Sequence, residues 1–212
     1  MPDLPEQDDR RSLAAPARRA RLVPAPIARD ATPILVITGP SGVGKGTLIK
    51  ALLERQPGLQ LSVSATTRPP RPDELNGVDY HFLSRPDFDR RVAAGEFVEH
   101  AVYAGHSYGT LRSELQRPAD GIVLEIDVQG ARQVRETLPD ATLVFIEPPS
   151  FDALRERLAG RGSDSAEQVE RRLGAAREEV AAAGEFDHRV VNDDFDAALA
   201  ELSRLAATMV EP

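Results

Sequence analysis

The nine residues Gly39-Pro-Ser-Gly-Val-Gly-Lys-Gly-Thr47 join four glycines to a lysine directly after the aliphatic run Ile34–Thr38. An amphipathic stripe of Leu48, Ile49, Leu52 and Leu53 follows at once, so the glycines lie between a strand and the start of a helix. Glycines in that place let successive backbone N–H groups turn inward as an anion nest, and the helix N-terminus adds positive field. Lys45 can then reach the terminal phosphates of a nucleoside triphosphate. Gly39, Pro40, Ser41, Gly42, Val43, Gly44, Lys45, Gly46 and Thr47 are accordingly candidate triphosphate contacts. The position after the lysine, where a Ser or Thr often ligates magnesium, is Gly46, and the first hydroxyl comes at Thr47. Magnesium is therefore expected to be held mostly through water and acidic residues.

Downstream, Arg68 and Arg71 stand three apart around Pro69-Pro70 in a stiff, non-helical stretch. Two guanidinium forks that converge on one point suit a dianionic phosphate monoester, although two solvated loop arginines would read the same. Glu125 and Asp127 lie two apart near the end of the run Ile122–Ile126, so they point to one side of a sheet. Acids placed there beside such a loop hold magnesium or its waters.

These residues need a scaffold, and short aliphatic runs separated by helical segments supply one: a parallel sheet covered on both faces. The runs are Ile34–Thr38, Ile122–Ile126, Leu143–Ile146 and Arg189–Val191, with a weaker one at Leu61–Val63. Helices are expected over Gly46–Arg55, Pro86–Ala94 and Phe151–Ala159. Ser165 and Gln168 form a capping box for a helix to about Ala183, and Asp194 caps Phe195–Met209. Residues 64–119 differ in texture, turn-rich with short alternating segments, and hold Tyr80, Tyr103 and Tyr108, so they form a mixed α+β insert. Residues 1–30 carry many Arg, Pro and acids without a sustained period and are expected to be a disordered extension.

Composition excludes other classes. A 41% hydrophobic fraction in 212 residues fits a globular chain with a sizeable core. With no cysteine there is no disulfide framework, thiolate metal site or cysteine nucleophile, which fits a reducing cytoplasm. Apolar runs such as Ile34-Leu35-Val36-Ile37 stop far short of the roughly 18 residues that a membrane span needs. A net charge of -8 argues against nucleic acid as partner. His81, His100 and His106 have no spacing that would bind a metal.

Taken in order, several motifs resemble the guanylate kinase family: Gly39–Thr47, Ser64-Ala-Thr-Thr-Arg-Pro-Pro-Arg71, Gly95-Glu-Phe-Val-Glu-His100, Tyr108-Gly-Thr110, Leu124-Glu-Ile-Asp-Val-Gln-Gly130, Gly160-Arg-Gly162 and Val191-Asn-Asp-Asp194. The resemblance covers about Pro33 to Met209. It implies a P-loop NTPase fold of class α/β, with a GMP-binding insert over 64–119, core segments 31–63 and 120–212, and a small lid at about 160–175. It also implies ATP and GMP as substrates and Mg2+ as the metal that accompanies ATP.

The resemblance further assigns roles. Ser64, Glu99, Thr110 and Asp127 match guanine contacts, and Arg68, Arg71, Tyr80 and Tyr108 match ligands of the GMP phosphate. Lys45, Arg68, Arg157, Arg161 and Arg172 match the groups that neutralise the transferring phosphoryl, with Arg157 and Arg161 also at ATP. Asn192 matches an adenine-side contact or serves as a turn residue, and Thr47, Glu125 and Asp127 match the metal's surroundings. The family usually has Asp where Glu125 stands, and often Ser where Thr110 stands. Two other functions compete: a kinase for another phosphorylated acceptor such as a ribose bisphosphate, and a non-catalytic module that binds phosphopeptides through Arg68 and Arg71. Oligomeric state is left open by the sequence.

Overall fold

The structure, a computed structural model, describes residues 32–160 and 165–210. The expected extension over 1–30 and the lid residue Arg161 lie outside them. In chain order the elements are β1 Ile34–Thr38, α1 Lys45–Arg55, β2 Leu59–Leu61, β3 Ala65–Thr66, β4 His81–Phe82, α2 Arg85–Ala93, β5 Phe97–Tyr103 and β6 His106–Leu111. They continue as β7 Gly121–Glu125, α3 Val128–Thr137, β8 Thr142–Glu147, α4 Phe151–Ala159, α5 Ala166–Ala181, β9 His188–Val191 and α6 Phe195–Val210.

Five strands form a parallel sheet in the order β2-β7-β1-β8-β9. The central strand β1 is buried along its whole length, because its alternating side chains meet helices on both faces. Leu35 and Ile37 pack with Leu48, Ile49 and Leu52 of α1 and with Leu199, Leu202 and Leu205 of α6. Ile34 and Val36 face the other way, onto Val128, Ala131 and Val134 of α3 and onto Phe145 and Phe186. Each such side chain removed from water contributes about 1.5–3 kcal/mol, so this double layer fixes the strand ends that carry the chemistry.

A second sheet, β4-β3-β6-β5, draws all its strands from residues 65–111. Its β5–β6 hairpin turns through Ala104 and Gly105, both at positive φ, as a tight hairpin requires. Helix α2 starts at Ser84, whose hydroxyl accepts the Asp87 N–H, and buries Phe88 against Phe97 at 4.5 Å between ring centroids.

Two elements depart from the sequence reading. The edge strand lies at Leu59–Leu61 instead of Leu61–Val63. The Ser62 N–H makes the last bond to β7, to the Val123 carbonyl at 2.9 Å, and the Val63 N–H beyond it is taken by the Glu114 carboxylate at 2.9 Å. Helix α3 is absent from that reading altogether. It forms because Asp127 accepts the Gly130 N–H at 2.7 Å, as an N-cap, and because Val128, Ala131, Val134 and Leu138 recur at helical spacing on the buried side.

Candidate active site

Strand β1 ends at Thr38 and passes straight into the glycine loop, at the carboxyl end of the sheet where open α/β folds bind ligands. Gly39 has φ +139, and a Cβ there would lie 2.3 Å from the Ile146 carbonyl oxygen, so only glycine allows β1 and β8 to leave the sheet side by side. Gly44 has φ +100 and would meet the Asn192 amide at 2.6 Å. Lys45 opens α1 and folds back over the loop, donating to the carbonyls of Gly39 at 2.7 Å and Pro40 at 3.2 Å. Thr47 lies exposed on the first turn of α1.

From the loop a cavity of about 400 Å³ extends beneath the second sheet. Gly39, Ser41, Lys45, Glu125, Asp127 and Glu179 line one end, and Ser64, Tyr80, Glu99 and Tyr108 line the other. Strand β7 lies beside β1 in register, with Glu125 opposite Ile37, and this places its carboxylate at the foot of the loop. An added Cβ on Gly46 would stand 3.8 Å from Glu125 Oε2, so this acid faces the position directly after Lys45. Burial pushes the Glu125 carboxyl up and the Lys45 ammonium pulls it back. Glu179 of α5 shares this surrounding. It too is pushed up by burial, against the pull of Lys45 and of the Ser41 amide. Sequence reasoning missed Glu179, because nothing local distinguishes it from the neighbouring Glu178 on the same helix.

At the far end Glu99 is only 4% exposed and accepts a 2.8 Å hydrogen bond from the Thr110 hydroxyl on the paired strand. Its carboxyl is pushed up to about 7, first by burial and then by the Asp127 charge, while the Thr110 bonds oppose the shift. Gly130 faces it closely: a Cβ there would lie 2.6 Å from Glu99 Oε2. An acid held in this way can accept two adjacent N–H donors of a planar ring.

Arg68 and Arg71 do converge, but on an acid. Arg68 Nη2 donates to Glu74 Oε1 at 2.8 Å, and Arg71 Nη1 reaches the same oxygen at 3.5 Å. The Arg68 guanidinium lies 5.3 Å over the Tyr80 ring and also meets the Tyr108 hydroxyl. Arg71 remains largely solvated, with its side chain 74% exposed.

Helices α4 and α5 pack together through Leu154, Leu158, Val169 and Leu173 and bring two more arginines to the loop. Arg157 Nη2 donates to the Asn192 carbonyl at 2.9 Å, and Arg172 Nη2 donates to the Ser41 hydroxyl at 2.5 Å. Asn192 is buried and its amide donates to the Val43 carbonyl at 2.7 Å, so it buttresses the loop from behind. Among the described residues no group of three or more His, Cys, Asp or Glu could hold a metal ion by itself. Glu125, which feels the Lys45 charge, and Asp127 nevertheless line the same cavity, which fits a metal that is shared with phosphates and water. Among the described residues no helix is long and apolar enough to cross a membrane.

Comparison with known proteins agrees with this geometry. The sequence model described as guanylate kinase matches residues 31–208. The guanylate kinase of Frankia casuarinae is 54% identical over 180 residues, covering 84% of this chain and 96% of the relative. That of Gloeobacter violaceus is 51% identical over 199 residues, 92% of each chain. Among solved structures, the guanylate kinase of Anaplasma phagocytophilum superposes with a TM-score of 0.69 at 33% identity, covering 85% of this chain and 88% of that one. With a glycine loop at the carboxyl end of the sheet, a buried acid in the adjoining cavity and relatives matched along nearly their whole length, the chain belongs to the guanylate kinase family.

Proposed function

We propose that this chain transfers the γ-phosphoryl of ATP to GMP, giving ADP and GDP. One observation carries the reading: Lys45 and Glu99 stand on the wall of the same cavity, so a triphosphate on the loop and a purine monophosphate at Glu99 would meet phosphate to phosphate. Aligned so, donor and acceptor need little covalent help, since the acceptor is an oxygen that is already anionic. The protein's work is charge neutralisation.

The loop amides of residues 39–47 and the Lys45 ammonium take the β- and γ-phosphates. Arg157, Arg161 and Arg172 close on them from α4, α5 and the lid between, and they exclude water that would otherwise take the phosphoryl group. Arg68, Arg71, Tyr80 and Tyr108 hold the GMP phosphate. Glu99 accepts guanine N1–H and N2–H, Thr110 orients that carboxylate, and Ser64 and Asp127 complete the base contacts. Against AMP the same acid would meet a ring lone pair and stay unpaired while buried, a loss of several kcal/mol in discrimination.

Magnesium arriving with ATP would be held by its phosphates and, mostly through water, by Glu125, Asp127 and Thr47. When bound it offsets phosphate charge. Residues 31–63 and 120–212 then serve as the core, 64–119 as the GMP-binding insert and about 160–175 as the lid, with Asn192 steadying the loop at its adenine side. Zero cysteine supports a cytoplasmic setting.

The test is a coupled assay of the purified chain with ATP against GMP, dGMP, AMP, UMP and a ribose bisphosphate. Turnover confined to the guanine nucleotides is expected; turnover of the ribose bisphosphate, or none with any acceptor, contradicts the reading.

A further inference from the structure

Glu74 lies six residues after Arg68 and three after Arg71, in a loop outside the strands of the second sheet. One carboxylate oxygen, Oε2, accepts the Arg71 backbone N–H at 2.7 Å, inside a turn closed by the Glu74 N–H on the Arg71 carbonyl at 3.1 Å. The other, Oε1, accepts Arg68 Nη2 at 2.8 Å. The Arg68 and Glu74 side chains are each only 15% exposed, and the guanidinium is further fixed by the Pro69 carbonyl on Nη1 and by the Tyr80 and Phe82 rings beneath its plane. The bond from Glu74 raises the Arg68 pKa.

This arrangement could mean either of two things. If Glu74 were a stand-in for substrate, it would leave when a phosphate arrived. Its departure, however, would also strip the Arg71 N–H of its acceptor and open the turn, because a single carboxylate serves both tasks. An arginine carries five N–H donors, and the contacts to Glu74, Pro69 and Tyr108 leave others to face an incoming oxyanion. We propose that Glu74 is a positioning residue that stays in place during turnover. It holds the Arg68 fork in the one orientation that meets the acceptor phosphate.

The inference rests on the reading of Arg68 as a phosphate ligand, and its test separates the two. GMP and guanosine are compared as ligands, because guanosine keeps the base and lacks the phosphate. In Glu74→Gln one carbonyl oxygen must replace two charged acceptors, so the KM for GMP should rise about tenfold with kcat within twofold, while inhibition by guanosine is unchanged. Glu74→Asp, which is too short to serve both arginines, should show the same split to a smaller degree, and it replaces Glu74→Gln if that variant melts early. A KM for GMP that is unchanged or lower overturns the proposal, a lower value being what a displaced stand-in would give. Equal weakening of guanosine and GMP also overturns it, since that marks general loosening of the insert. Arg68→Ala measured alongside decides the underlying assignment: if it leaves the KM for GMP unmoved, the phosphate reading itself fails. If it raises that KM and Glu74→Gln does not, the positioning role alone is lost.

Discussion

Thr110 donates its hydroxyl hydrogen to Glu99 Oε1 across 2.8 Å, in a place where Thr110 is fully buried and Glu99 nearly so. The two face each other across the β5–β6 pair, so the orientation of the acid is set by sheet register and not by a loop. The acid proposed to read the base thus sits on a rigid element, and the first two predictions follow from it.

Replacing Glu99 by Gln presents guanine with an amide in place of a carboxylate acceptor. The KM for GMP should rise by one to three orders of magnitude, and the preference for GMP over AMP should narrow. Competition assays with both nucleotides measure the ratio directly, and an unchanged ratio places base recognition elsewhere. The pH dependence has a definite sign. In the unliganded protein Glu99 titrates near 7 against 4.5 when unfolded, so its contribution to stability is fully present below about 4.5 and is lost as pH rises through about 7. Wild type should therefore lose roughly 1–3 kcal/mol relative to Glu99→Gln between pH 5 and 8, as read by denaturant melts. Over the same range kcat/KM for GMP should rise, since the base requires the ionised acid, and the variant should lack that step.

Gly130→Ala adds a methyl group that would stand 2.6 Å from Glu99 Oε2. On an open helix the change would stabilise by about 1 kcal/mol. Here the Glu99 head group must give way instead, because α3 is fixed by its buried stripe. The variant should fold with a near-normal Tm while its KM for GMP rises about tenfold and its KM for ATP stays the same. A lowered Tm with unchanged KM values would show that α3 moves and the acid does not.

Lys45→Met should leave the fold intact, because the ammonium bonds loop carbonyls at the surface of the site. Its kcat should fall about 10²–10³-fold or more, as expected when charge stabilisation of a transferring group is removed. Steady-state kinetics beside a circular-dichroism melt separates the two effects.

Asn192→Ala removes the 2.7 Å bond to the Val43 carbonyl and opens space against Gly44. The Val43 carbonyl then keeps only the long 3.4 Å bond from Arg157 Nη1, and losing the shorter bond costs about 0.5–1.5 kcal/mol, so the Tm should drop and the KM for ATP should rise several-fold, with the KM for GMP unaffected. An unchanged ATP KM would confine Asn192 to stability.

Much of this fold is legible in the sequence, and the exceptions have physical causes. Strands β1, β7 and β8 declare themselves because burial on both faces demands continuous aliphatic runs, and α5 begins where its capping box says. Helix α6 starts behind Asp194, whose carboxylate accepts the Ala197 N–H at 2.8 Å. Helix α3 escapes notice because its exposed side, with Gln129, Arg132, Arg135 and Glu136, outnumbers a thin stripe of small residues. At the site, the glycine loop, Glu99 and the acids at the end of β7 are readable as types in order. Glu179 is not, and Asn192 stands out only through the family resemblance, as an adenine-side contact or a turn residue. Their meaning comes from contact with Ser41 and Val43, more than a hundred residues away, and such contacts exist only once the sheet has assembled.

The central claim is that one cavity holds both nucleotides and passes the phosphoryl group directly between them. The measurement closest to it follows the label from γ-³²P-ATP during turnover with GMP. Recovery of the label in the β-phosphate of GDP, equal to the ADP formed, is the result expected. Release of the label as inorganic phosphate at the same rate with or without GMP would contradict the account.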